Sequence, residues 1–176
     1  MSIKGTIVTI IISSAMVVLP LNVEAKFLYH ATRRAAAKKI MTRGFALSKM
    51  NPRARFSKGV YLSESKKLAL KEKPNANAII RVRDTKLLRK KSVKTGRFTP
   101  QQLKKFSGDT NLRGNIRHGT PGGDLSKKMG KAAGRRGRVI VYPSARGKGE
   151  NVFVPQKVYR KHRRIVKPVG IEQIGK

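Results

Sequence analysis

Charge is the feature that most constrains this sequence. The chain has 176 residues, with 42 Lys and Arg against eight Asp and Glu, and a formal net charge of +34. An ordinary soluble enzyme intersperses both signs and keeps its net charge in single digits, so a surface of that kind is excluded. Eight carboxylates also leave too few for a self-contained acidic metal cage. There is no Cys, which removes disulfide frameworks, thiolate zinc sites, iron–sulfur clusters and Cys nucleophiles. Three His argue against a His-rich site, and no metal is expected. The 39% of hydrophobic residues still suffices for a small core, and the length suits one domain. Such a chain seeks polyanions: nucleic acid, anionic membrane or phosphorylated small molecules.

The first 25 residues read as a signal peptide. Lys4 is followed by an apolar run from Thr6 to Leu19, and Val23-Glu24-Ala25 puts small residues at −3 and −1 of a cut before Lys26. The run is short for a membrane span and is weakened by Thr9, Ser13, Ser14 and Pro20, so no stable span is expected after cleavage. Removing residues 1–25 takes away one Lys and one Glu, so the charge belongs to residues 26–176. The expected location is outside the producing cytosol, periplasmic or extracellular.

Along residues 26–176 the pattern predicts an α+β domain. Strands are expected at Phe27 to Thr32, Gly59 to Ser63, Ala78 to Val82, Arg138 to Tyr142, Asn151 to Val154 and Arg164 to Val169. Helices are expected at Arg34 to Met41, closed by Gly44, and at Ser65 to Lys73, stopped by Pro74. A third should start at Thr99-Pro100, with Thr as the N-cap, and end by Gly108. Residues 107–137 carry many Gly, Lys and Arg with little periodicity, and read as a long basic loop or insertion. No internal repeat is present.

Three segments carry candidate chemistry: Tyr29-His30-Ala31-Thr32 with Gly44-Phe45 after its helix; Gly59-Val60-Tyr61-Leu62-Ser63 before a second helix; and Gly149-Glu150-Asn151-Val152-Phe153-Val154. In that order they resemble the ADP-ribosyltransferase fold, in its His–Tyr–Glu branch of diphtheria-like toxins and poly(ADP-ribose) polymerases. The likeness is good over residues 27–70, thin over 71–137 and moderate over 138–169. It implies a split β-sheet core and NAD as substrate. Breaking the nicotinamide–ribose bond develops oxocarbenium character, which a nearby carboxylate stabilises. By the resemblance Glu150 takes that role, with Asp124 and Glu172 as the rival late carboxylates. It further implies that His30 bonds the adenosine-side ribose, the Ala31 backbone clamps the nicotinamide amide, and Tyr61 stacks on its ring. Thr32 and Ser63 become polar supports, and Arg33 and Arg55 candidates for the pyrophosphate.

The sequence departs from the family in three places. The helix after the Tyr strand, SKKLALKE, lacks the second aromatic that many relatives place on the nicotinamide. Ala31 replaces the usual Gly. Glu150 has no preceding Glu or Gln at the spacing of Arg-specific toxins, which argues against Arg as acceptor. The resemblance and the charge together imply a secreted toxin or effector transferring ADP-ribose to a macromolecule, with RNA, DNA or a ribonucleoprotein as the polyanionic target and an immunity protein as a further partner. Two alternatives stand beside it. One is an NAD-dependent RNA 2′-phosphotransferase, which favours a second His where Tyr61 stands. The other is a non-enzymatic nucleic-acid binder built on the basic runs at 87–91, 130–138 and 159–164.

Overall fold

A computed structural model describes residues 26–108, 116–117, 120–121 and 123–174. The expected signal peptide lies outside the described residues. The fold is α+β. Its elements run β1 Phe27–Thr32, α1 Arg34–Arg43, β2 Gly59–Ser63, α2 Lys66–Glu72, β3 Ala78–Asp84, α3 Lys86–Lys91, β4 Ser92–Lys94 and α4 Pro100–Ser107. The small strands β5 Ile116–Arg117 and β6 Thr120–Pro121 follow, then α5 Gly123–Arg135, β7 Val139–Pro143, β8 Glu150–Pro155, α6 Gln156–Lys161 and β9 Val166–Gln173.

Seven strands form one mixed sheet in the order β4-β7-β8-β2-β1-β3-β9, while β5 and β6 pair separately. Neighbours are antiparallel except β4 and β7, which run parallel. The ladders are uneven. β1 registers with β3 from Phe27↔Arg83 to Thr32↔Ala78, and β2 with β8 from Gly59↔Pro155 to Ser63↔Asn151. Between β1 and β2 the register is the one pair Tyr29↔Ser63. The sheet is therefore two well-paired blocks that meet at a thin seam.

Strand alternation sorts the apolar residues to two sides. On β7 and β8, Val139, Val141, Val152 and Val154 join Leu28, Val60, Leu62, Ile80 and Val82 in one core, with Ala37 of α1 and Tyr159 of α6. The intervening Ile140, Tyr142 and Phe153 join Phe56, Leu103, Leu125 and Met129 in the other, under α4 and α5. α4 begins as its sequence requires: the Gln102 backbone N–H donates to Thr99 Oγ1, the Thr99 N–H donates to Gln102 Oε1, and Gly108 closes the helix in the left-handed region.

The structure corrects the loop expected over 107–137. Residues 123–135 form α5, in which Leu125, Met129, Ala132 and Ala133 are buried. Their spacing, i, i+4, i+7 and i+8, is one helical face. Gly130 lets this helix close on the neighbouring chain, since a Cβ there would collide with the Phe56 carbonyl. Three short elements lie where no element was expected: α3, the edge strand β4, and α6. Among the described residues no helix is long and apolar enough to cross a membrane.

Candidate active site

The seam between the two blocks opens into a cleft of about 1110 Å³, a size suited to a drug-sized or dinucleotide ligand. Its walls are Tyr29–Thr32 of β1, residues 59–63 of β2, the segment after α1, the C-terminal end of α2, and Tyr142, Arg146 and Asn151. Lys39, Lys49, Arg55, Lys73 and Arg146 line it as cations, and Glu72 as its carboxylate.

His30 spans the seam with its side chain. Its Nδ1 lies 2.8 Å from the Tyr61 carbonyl oxygen. A carbonyl only accepts, so Nδ1 carries the proton and Nε2 keeps its lone pair. Burial, reinforced by the charge of Lys73, lowers the His30 pKa to about 4 against the bond to Tyr61, so the ring is neutral near pH 7. The Gly44-Phe45 pair explains how the ring is held. Gly44 closes α1 at φ 74°, a conformation that disfavours a side chain, and a Cβ there would collide with Tyr159 Oη. That hydroxyl accepts from the Phe45 amide at 2.9 Å, and Phe45 meets His30 edge to face at 5.1 Å. A residue of α6 thus fixes a side chain of β1 through one aromatic ring.

Tyr61 is held at both ends. Its hydroxyl accepts from the Phe56 amide and donates to the Ser57 carbonyl, each at 2.9 Å. Those two bonds tie down Ser57, which sits at φ 74°. The Tyr61 ring packs on Phe153 at 4.9 Å while remaining partly exposed to the cleft. Burial pushes the Tyr61 phenol up, so it stays protonated. The helix α2 has no aromatic, but Tyr142 lines the same cleft, with the Arg55 guanidinium 5.7 Å over its ring.

Sequence reasoning missed a polar relay across the cleft wall. Ser63 Oγ donates to Asn151 Oδ1 at 2.7 Å, and Asn151 Nδ2 donates to Glu72 Oε1 at 2.9 Å. Ser144 Oγ donates to the same carboxylate oxygen at 2.8 Å, and Arg146 Nε stands 3.8 Å from Glu72 Oε2. Glu72 was hidden in a basic helix, where a lone acid reads as a solvated residue. The available signal was its helical spacing from Ala69, which also faces the cleft.

Of the expected site residues, His30, Ala31, Thr32, Arg55, Tyr61 and Ser63 line one cleft. Two do not. Arg33 lies in a neighbouring groove. Glu150 opens β8, but its carboxylate reaches Lys94 of edge strand β4 at 3.1 Å and does not line the cleft. The reason is strand alternation: Asn151 faces Ser63, so residue 150 turns to the other side. The rival carboxylates are elsewhere too, Glu172 on Lys66 and Asp124 exposed at the start of α5. Comparison with protein-family models and with curated proteins returned no match.

Proposed function

We propose that the cleft binds NAD and that the protein breaks its nicotinamide–ribose bond, transferring ADP-ribose to a macromolecular acceptor after export directed by residues 1–25. The observation that supports this reading is the convergence of neutral His30, rigid Tyr61 and the Ser63–Asn151–Glu72 relay on one cleft. The Nε2 lone pair of His30 accepts from a ribose hydroxyl. Tyr61, partly exposed to the cleft, offers an aromatic face to the nicotinamide ring, and Tyr142, buried beneath the Arg55 guanidinium, backs that wall from the core. Arg55 and Lys49 answer the pyrophosphate charge.

Glu72 takes the carboxylate role in place of Glu150. As nicotinamide leaves with the electron pair of the C–N bond, positive charge grows on the ribose ring, and a fixed carboxylate in a confined cleft stabilises it. Asn151 and Ser144 hold Glu72 in one orientation beforehand, so little reorganisation remains. A nucleophilic atom of the acceptor then bonds to the anomeric carbon and releases its proton. The 2′-phosphotransferase reading is disfavoured because Tyr61, with its hydroxyl committed to Phe56 and Ser57, stands where that reading wants a second His.

The test is incubation of the purified protein with NAD, followed by chromatography for free nicotinamide and by calorimetric titration of NAD. Saturable binding and nicotinamide release, both weakened by His30→Ala, are expected. Absence of both binding and release overturns the reading.

A further inference from the structure

A second concavity of about 1100 Å³ borders the cleft. It is lined by Arg33 just after β1, Lys67 and Lys71 of α2, the 74–77 turn, Arg146, and Ile174 at the end of β9. Arg146 lines both spaces, so the groove and the cleft adjoin at that residue. The groove is lined by four cations, Arg33, Lys67, Lys71 and Arg146, and by no carboxylate. Among the described residues Arg33, Lys67 and Lys71 enter no ion pair. Arg146 donates to the Lys71 carbonyl at 2.9 Å, and its Nε stands 3.8 Å from Glu72 of the cleft, so three of the four cations carry unmatched charge.

We infer that this groove is a track for the phosphodiester backbone of a single-stranded nucleic acid, delivered to the cleft as the acceptor. Lys67 and Lys71 stand four residues apart on one helix face, about 6 Å along the axis, which matches a ligand carrying one charge per repeating unit. The groove is concave, so it suits a strand rather than a flat lipid surface. Its amides, Asn75 and Asn77, add neutral donors, and it contains no aromatic ring. Base stacking is therefore not its mode, and contact is with phosphate, independent of base sequence. The acceptor role rests on the NAD reading of the cleft; the binding does not.

The test is fluorescence polarisation of labelled 20-residue oligo-dT and oligo-U on the full protein across a salt titration. The double variant Lys67→Gln/Lys71→Gln is compared with Lys157→Gln/Lys161→Gln, which removes the same charge from two exposed sites on α6. Each phosphate contact on a single strand contributes about 0.7 to the salt slope. The groove double is expected to lower the slope by about 1.4 and to weaken binding at least fivefold, and the control double to change affinity less than twofold. Both oligonucleotides are expected to show the loss; a loss with oligo-U alone supports the groove with RNA as its ligand. Equal losses in the two doubles, no loss in either, or the same groove-dependent loss with poly-glutamate overturns the proposal. Nicotinamide release from NAD is read on the same proteins and should be unchanged in the groove double. Groove-dependent strand binding without any nicotinamide release in the unsubstituted protein removes the NAD reading and leaves the groove standing.

Discussion

Glu72 and Glu150 sit on opposite sides of β8's first residues, and they make a useful pair. Their side chains are similarly exposed, 36% and 42%, so exposure does not separate them. Their partners do. Glu72 is gripped by two neutral donors, Asn151 and Ser144, at 2.9 and 2.8 Å, and its one cation, the Arg146 Nε, stands farther off at 3.8 Å. Glu150 meets the flexible cation of Lys94 at the sheet edge. Glu72 is thus oriented by short hydrogen bonds with its ion pair a loose one, whereas Glu150 has an exposed lysine as its direct partner. On β8 itself one position decides the side: Asn151 reaches Glu72 at the cleft, and Glu150 reaches Lys94 at the sheet edge.

The contrast can be broken or sharpened by substitution. The largest effect is expected at Phe153, fully buried beneath Tyr61 and stacked at 5.3 Å on Phe56. Phe153→Ala should cost about 3–5 kcal/mol in chemical denaturation; a loss under 1 kcal/mol would mean that the cleft side is not built on this core. Next is acid. The unfolded His30 binds a proton near pH 6.5, and the folded one resists it down to about 4. Its contribution is therefore complete above pH 6.5 and falls away between 6.5 and 4, on the order of 3 kcal/mol. His30→Gln should flatten that part of the stability–pH curve, and an unchanged curve would contradict the buried neutral ring.

Asn151→Ala comes third. It leaves the Ser63 hydroxyl without its acceptor and Glu72 Oε1 with Ser144 alone, at about 1–3 kcal/mol in thermal or urea unfolding. Smallest is Lys94→Gln on the edge side, where an exposed ion pair contributes about 0–1 kcal/mol, less in high salt. If Lys94→Gln costs as much as Asn151→Ala, the two sides are equivalent and the comparison fails.

Much of this arrangement is legible in the sequence. β1 and β2 fall where alternation and glycine boundaries place them, Phe27–Thr32 and Gly59–Ser63, and Thr99-Pro100 starts α4 through a capping box. The Gly44-Phe45 pair marks a position whose reason, the Tyr159 hydroxyl beneath it, is a contact across 114 residues that no local pattern carries. α5 was obscured by Gly123, Gly130 and Gly134 within a basic run, although its buried face is periodic. In the site, side chains of β1 and β2 were readable because strand motifs fix both residue and face. The placement of Glu72 was not, because it depends on α2 packing over β1 and β2 so that its last residue reaches Asn151 of β8, a packing relation rather than a motif. Glu150 misled for a related reason: being the acid nearest a late strand says nothing about which face it takes.

The central claim is that Glu72, held by Asn151 in the cleft, is the carboxylate that serves NAD cleavage. It is tested most directly by measuring nicotinamide release from NAD by Glu72→Gln and Glu150→Gln side by side, with folding of each checked by circular dichroism. The account predicts a fall of about 10²- to 10³-fold for Glu72→Gln and less than threefold for Glu150→Gln. The reverse order, with Glu150→Gln inactive and Glu72→Gln near full rate, would contradict it.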